Sequence, residues 1–361
     1  MAIMPAMRTL LLSLLLASSL ASAAEPAAAP SSSSFASLPA DPAPPALVRN
    51  SHYWISNEDQ LELFHDAVKD KHGIYMGVGA EQNYLLAAWA RADVLVLMDF
   101  DQAIVDLHRV HRVLFRAAET PEDFVKLWRA EGRAQVTKLL EEGYSDPAQR
   151  SGALRAYTNA RWAVEQRFKR VKAQMTKAGL TNFTVDAADY AHLRKLFLED
   201  KVFMVRGDLT VAGTVLAIGK AAAEQKLKMG VLYLSNAEQY FDFTPQFRDN
   251  MRALPLDATS VVLRTSGQRG ISHVKDTYYH YNTQSGASFL AWVADPKVKD
   301  VREMLTYAPD IGKVTGLSWL DQTPEQAREA KKQKAAAKAP VPKAPAPKEG
   351  SAAPAGKEAV Q

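Results

Sequence analysis

One stretch, Gly73 to Asp101, constrains the fold of this chain more than any other. Ile74 to Met76 and Val94 to Met98 are apolar runs of strand length. Neither alternates with polar residues, as expected when both faces of a sheet are covered. Between them, Gly77-Val-Gly79 reads as a tight turn, and residues 80 to 91 place Tyr84, Leu85, Ala88 and Trp89 on one helical face. The spacing predicts a parallel strand–helix–strand unit with a right-handed crossover. In that geometry Gly77 and Gly79 let the backbone approach a ligand, and the amides of residues 80 to 82 open a helix N-terminus toward it. Asp99 falls twenty residues past Gly79, where a nucleotide-binding fold places the acid that holds a ribose. The third glycine of the dinucleotide fingerprint is absent, because Gln82 stands there. A second reading therefore stays open, in which the glycines only make the turn and Asp99 caps the next helix.

Further α/β alternation follows. Strands are expected at Val202–Asp208, Met229–Asn236 and Ser260–Thr265, with helices over 101–116, 213–226 and 244–253. The alternation is interrupted by an inserted helical pair at about 120–178. Thr120-Pro121-Glu122-Asp123 starts it, Gly143 to Asp146 turns it, and Gly179 closes the second helix. Arg161, Arg167, Lys169, Arg170 and Lys172 read as a solvated basic face, and His108 with His111 as paired surface histidines rather than metal ligands. Ser56 to Asp59 reads as a helix start leading into Leu61–Val68. Residues 276–281 and 288–293, joined by Asn282 to Gly286, read as a C-terminal antiparallel hairpin. A last helix is expected over 297–307. The fold class is thus α/β, a doubly wound, Rossmann-like, mostly parallel sheet, forming one domain over 51–320.

The ends have another character. Met1 to Ala23 has the pattern of a secretory signal peptide: Arg8, an apolar core from Leu10 to Leu20, then Ala21-Ser22-Ala23. That core is too short to span a bilayer, and no later segment approaches spanning length. Residues 24–50, rich in Ala, Pro and Ser, are expected to be a disordered linker, and the Lys/Ala/Pro-rich 323–361 a disordered tail. The mature chain is therefore expected to be soluble and exported, to the periplasm or beyond. The tail carries eight Lys or Arg against four Glu, an excess equal to the net +4 of the whole chain. The remainder is neutral, which argues against a nucleic-acid face and assigns any adhesion to an anionic envelope polymer to the tail. With no cysteine, thiol nucleophiles, thiolate metal sites and disulfides are excluded.

In an open parallel sheet ligands bind at the carboxyl ends of the strands. The residues there are Gly77, Gly79, Glu81, Gln82 and Asn83, then Asp99 and Asp101, Arg206 and Asp208, Asn236, Glu238 and Gln239, and Arg264. Together they form either a polar rim around a small-molecule or envelope-derived ligand, or a set of structural ion pairs in which Arg206 and Arg264 meet neighbouring acids. Tyr279 and His280 would join as acid or base if the hairpin folded over the rim. Hydrolase-elbow, Walker and zinc-protease motifs are absent, and no metal is expected.

Residues 73–84 (GIYMGVGAEQNY), 231–241 (VLYLSNAEQYF) and 260–265 (SVVLRT) resemble a family of uncharacterised, often exported bacterial proteins. That family looks like the class I S-adenosylmethionine methyltransferases in fold, and the resemblance covers about 52–308. It implies an S-adenosylmethionine site in which Gly77 and Gly79 form the glycine motif. Asp99 would hold the ribose, Asp208 would lie near the adenine, and Asn236 or Glu238 would face the acceptor. Tyr75 stands where that motif usually carries an acid. A non-enzymatic envelope scaffold on a degenerate Rossmann-like fold is the alternative.

Overall fold

Apolar residues at every position make β1 (Ile74–Val78), the strand on which the sheet is built. A computed structural model describes residues 33–267, 271–308 and 315–338. Short helical turns α1 (Ser33–Ala36) and α2 (His65–Val68) precede β1. The expected unit then follows as α3 (Gln82–Ala90), β2 (Val94–Asp99) and α4 (Gln102–Ala117). Helix α3 is buried along its whole length, and Arg91 ends it in the left-handed conformation. Next come α5 (Pro121–Leu127), α6 (Arg133–Gly143), α7 (Pro147–Ala178) and α8 (Ala187–Leu198). The alternation resumes with β3 (Val202–Arg206), α9 (Thr214–Glu224), β4 (Met229–Tyr233), α10 (Pro245–Ala253) and β5 (Val261–Ser266). The chain closes with β6 (His280–Ser285), α11 (Gly286–Ala294), α12 (Val301–Leu305), β7 (Leu317–Leu320) and α13 (Pro324–Lys338).

The strands form one sheet in the order β3-β2-β1-β4-β5-β6-β7. All pairs are parallel except β5 with β6. The order reverses between β1 and β4, so a doubly wound, Rossmann-like crevice belongs at the carboxyl ends of those two strands. Alternate side chains feed two apolar layers. Tyr75, Leu95, Leu97, Tyr233 and Leu263 pack toward α3, α4, α7 and α8. Ile74, Met76, Val96, Met98 and Leu232 pack on the other side with residues of α9, α10 and α11.

The inserted helices begin and end where expected. Thr120 caps α5 and Asp146 caps α7 through their side chains, and Gly179 ends α7 at φ 72°. Helix α7 packs on α4, where Gly152 leaves room for the Asp106 carboxylate. That carboxylate would lie 2.3 Å from an added Cβ.

Several expectations need correction. Residues 288–293 are not a strand: they lie in α11, capped by Ser285. The antiparallel pair is β5 with β6, and β6 contains Asn282 to Ser285 of the expected turn, whose Gly286 opens α11. The helix expected over 297–307 is reduced to α12. Ser56 does not begin a helix, because helical turns start only at Leu61. The expected linker is not all spacer: Phe35 is buried and stacks on Phe203 with ring centroids 5.1 Å apart. The expected tail begins with α13, held by Arg328 on Asp295 at 2.5 Å and by Lys331 over the Tyr307 ring. The signal-peptide pattern and residues 339–361 lie outside the described residues. Among those described, no helix is long and apolar enough to cross a membrane.

Candidate functional site

The glycine turn after β1 has the predicted backbone, with Gly79 at φ 93°, but its space is taken. A Cβ on Gly77 would stand 1.9 Å from Asn83 Oδ1, and one on Gly79 would stand 2.4 Å from Gln82 Nε2. Asn83 is fully buried. Its Nδ2 donates to the carbonyls of Val78 and Ala80 at 3.1 and 3.0 Å, and its Oδ1 accepts from Tyr75 Oη at 3.0 Å. The glycines thus make room for the protein's own side chains.

A strap, residues 52–60, runs across the strand ends. His52 Nδ1 meets Asp101 Oδ2 at 2.7 Å beyond β2, and the Ser56 amide donates to Glu81 Oε2 at 3.1 Å beyond β1. The Gln60 amide donates to the Tyr281 hydroxyl of β6 at 2.8 Å. Between these points Glu58, 1 % exposed, carries its carboxylate to the ends of β4 and β5. Its Oε1 accepts from Ser235 Oγ at 2.8 Å and Thr265 Oγ1 at 2.5 Å. Its Oε2 accepts from Ser56 Oγ at 3.2 Å and from the Tyr233 hydroxyl. Burial, reinforced by the Glu58 charge, pushes the hydroxyls of Tyr75 and Tyr233 well above the usual phenol range.

The inserted helix α7 locks this arrangement through Arg167, which is fully buried instead of lying on a solvated face. Its Nε donates to Glu81 Oε1 at 2.8 Å, one terminal nitrogen donates to the Glu58 carbonyl at 2.7 Å, and the other meets Asp59 at 3.0 Å. Burial lifts the Glu81 carboxyl against the pull of Arg167. For Arg167 burial acts to lower the value, but Glu81, with Asp59 and Glu58 behind it, outweighs it and keeps the guanidinium charged.

The other sequence candidates separate into three places. Asp99 stands at the end of β2, where its Oδ1 accepts from the Asp101 amide at 2.8 Å. Burial lifts its carboxyl to about 7, with the Asp101 charge adding to the rise and hydrogen bonds from the Asp101 and Gly79 backbone opposing it. Arg206 and Asp208, at the far edge, hold the N-terminal segment. Arg206 Nε donates to the Asp41 carbonyl at 2.8 Å, and the Asp208 amide donates to Asp41 Oδ2 at 2.9 Å. Asp208 itself closes a turn onto Thr210.

On the antiparallel side Arg264 Nε meets Glu238 Oε2 at 2.6 Å, both residues being buried. A second Arg264 nitrogen donates to Asn282 and Gln284 at 2.7 and 2.8 Å. His280 lies in β6, with Nε2 2.7 Å from Ser318 Oγ, so it packs between strands instead of facing the rim. Asn236 donates to the Tyr279 hydroxyl at 2.8 Å, and Gln239 accepts from the Gly267 amide at 3.2 Å. His108 and His111 are buried: His108 bridges the Tyr84 hydroxyl and the Gly79 carbonyl at 2.8 and 2.9 Å. Among the described residues no cluster of three or more His, Asp or Glu has metal-binding geometry.

Sequence reasoning missed Glu58, Arg167, His52, Ser235 and Thr265. The local sequence carries no signal for them: Ser56, Asn57 and Glu58 are all polar, and only the fold buries Ser56 and Glu58 while leaving Asn57 exposed.

A family model described as a domain of unknown function (DUF7790) matches residues 53–321, and the chain belongs to that family. No curated protein matches it.

Proposed function

We propose that this member of the DUF7790 family is an exported, non-catalytic binding protein of the bacterial envelope, built on a Rossmann-like fold whose crevice is closed by its own chain. The observation that carries this reading is Glu58, held by Tyr233, Ser235 and Thr265 where a ligand of such a fold would lie. Asn83 and Gln82 occupy the space beside Gly77 and Gly79 in the same way. These residues do not fit S-adenosylmethionine: the glycine turn offers no approach to its methionine part. Asp99, with its carboxyl near 7, is only partly ionised at neutral pH and is a weak acceptor for ribose hydroxyls. Export rests on the pattern of residues 1–23, and adhesion to an anionic polymer rests on the excess positive charge of the C-terminal segment.

The test is thermal unfolding of residues 24–361 with and without S-adenosylmethionine and S-adenosylhomocysteine. A ligand specific to the folded state stabilises by about 2.7 kcal/mol at a hundredfold excess over its dissociation constant. The expected result is no shift at millimolar ligand. A clear shift that Asp99→Ala removes without unfolding the chain would overturn the proposal. It would favour the second reading, methyl transfer, whose support is the position of Asp99 beyond β2.

A further inference from the structure

Three exposed aromatic residues gather at the strand-end face: Tyr53 of the strap, Tyr240 after β4 and Tyr278 before β6, exposed by 43, 56 and 67 %. Tyr53, Tyr278 and Arg49 lie close enough to bear electrostatically on the Tyr240 hydroxyl. Tyr278 meets Tyr279 edge-on at 4.9 Å. It also lies against the backbone of Gly267, where an added Cβ would be 2.3 Å from its ring. Beside this cluster is a cavity of about 180 Å³ that Tyr240 shares with Glu238, Gln239, Asp242, Asp300 and Arg302. Arg302 is oriented by its bond to the Gln239 carbonyl at 2.9 Å, and Asp300 by capping α12. Glu238 is 2 % exposed, yet its Oε1 has no hydrogen-bond partner among the described residues. Arg264 Nη2 of the same ion pair is likewise buried and unpartnered among the described residues. Both orphan atoms thus belong to the Glu238–Arg264 pair behind the cavity, and the polar groups left for a ligand are those of Gln239, Asp242, Asp300 and Arg302.

We propose that this face binds a neutral oligosaccharide. A pyranose ring presents a flat array of C–H groups with partial positive charge, which suits the negative face of a tyrosine ring. Its hydroxyls donate and accept at once, matching a cavity that mixes carboxylates, an amide and a guanidinium. With Glu238 already paired to Arg264, Asp242 and Asp300 still outnumber Arg302 in the lining, which disfavours an anionic saccharide. The cavity is smaller than a drug-sized pocket and suits one sugar edge, with neighbouring rings lying on the tyrosines. The site lies beside the closed crevice and does not depend on its closure.

The test is calorimetric titration of the full mature chain with cellotetraose and chitotetraose. Saturable binding to at least one is expected, weakened about fivefold or more by Tyr240→Ala and by Tyr278→Ala. Trp162→Ala, which removes an aromatic residue 66 % exposed on α7, should leave binding unchanged. Binding of neither sugar would overturn the assignment, as would tyrosine variants that bind like wild type or a Trp162 variant that loses as much. These outcomes are read independently of the cofactor titration, so the two proposals can fail separately.

Discussion

Arg167, on a helix inserted between β2 and β3, meets Glu81 at the turn after β1 at 2.8 Å, and both side chains are buried. The insert is therefore part of the strand-end architecture and not an appendage. Replacing Arg167 with Met leaves Glu81 buried and unpaired, and should cost about 3–5 kcal/mol. Urea denaturation measures it, and adding Glu81→Gln should recover part of the loss. Equal stability of wild type and single variant would mean that the pair contributes nothing net.

The glycine turn makes a second, separable prediction. Gly77→Ala forces a Cβ into Asn83 Oδ1 and should destabilise by about 1–3 kcal/mol. Asn83→Ala removes the nearer obstruction, leaving the Tyr75 ring at 2.7 Å, while losing its own hydrogen bonds, so the two changes together should cost less than their sum. Strict additivity in a double-mutant cycle would refute a direct contact.

Acid should weaken the fold through its buried histidines. Burial lowers His108 to about 4 and, with His108 beside it, His111 to about 3. Both rings stay neutral in the fold, whereas the unfolded chain takes up protons near pH 6.5. Their contribution is complete above that value and is lost as pH falls toward 4 and 3, at up to about 1.4 kcal/mol per pH unit each. Asp99 acts oppositely: raised to about 7, it favours the fold below the unfolded value of 3.8, and that contribution is lost as pH rises through 7. Urea midpoints over roughly pH 4 to 8 should fall less steeply in acid for His111→Phe than for wild type. Asp99→Asn should gain on wild type as pH rises. Parallel curves for all three proteins would contradict both assignments.

The N-terminal segment should contribute to stability through Asp41. Its carboxylate accepts from the amides of Thr214 and Asp208 at 3.0 and 2.9 Å, and it is 2 % exposed. Asp41→Ala strands a buried donor at Thr214 and a half-buried one at Asp208, at about 1–3 kcal/mol. A chain beginning at residue 51 should melt lower than one beginning at residue 24. Identical melting would return this segment to the role of a spacer.

The parallel half of the sheet was legible because β1 and β4 are apolar or glycine throughout, β2 is apolar up to Asp99, and β5 opens on Val261-Val-Leu before Arg264. The antiparallel edge was not. In β6 the sequence His-Tyr-Asn-Thr-Gln-Ser is polar, yet every residue is buried, because its side chains bond to Arg264, Ser318 and one another's neighbours instead of to water. Composition alone reads such a run as a turn. Ser288 to Val293 is a short apolar run that fits strand or buried helix equally, and the Ser285 cap decides for helix. At the site, Asp99 and the glycines were found at the predicted positions, but the meaning of the turn depended on Glu58 and Arg167. Their sequence separations from Ser235 and Glu81 are 177 and 86 residues, beyond what local pattern can carry.

The strap is bonded at His52, Ser56, Glu58 and Gln60 to the strand ends that it covers. Its attachment and its shielding of the crevice are one set of bonds, so it cannot swing aside as a gate while the fold stays intact. Protection of the Ser56 and Gln60 amides against hydrogen exchange should therefore match that of the central strands. This part of the molecule spends its free energy on permanence, and turnover in the crevice would require the protein to come partly undone in every cycle.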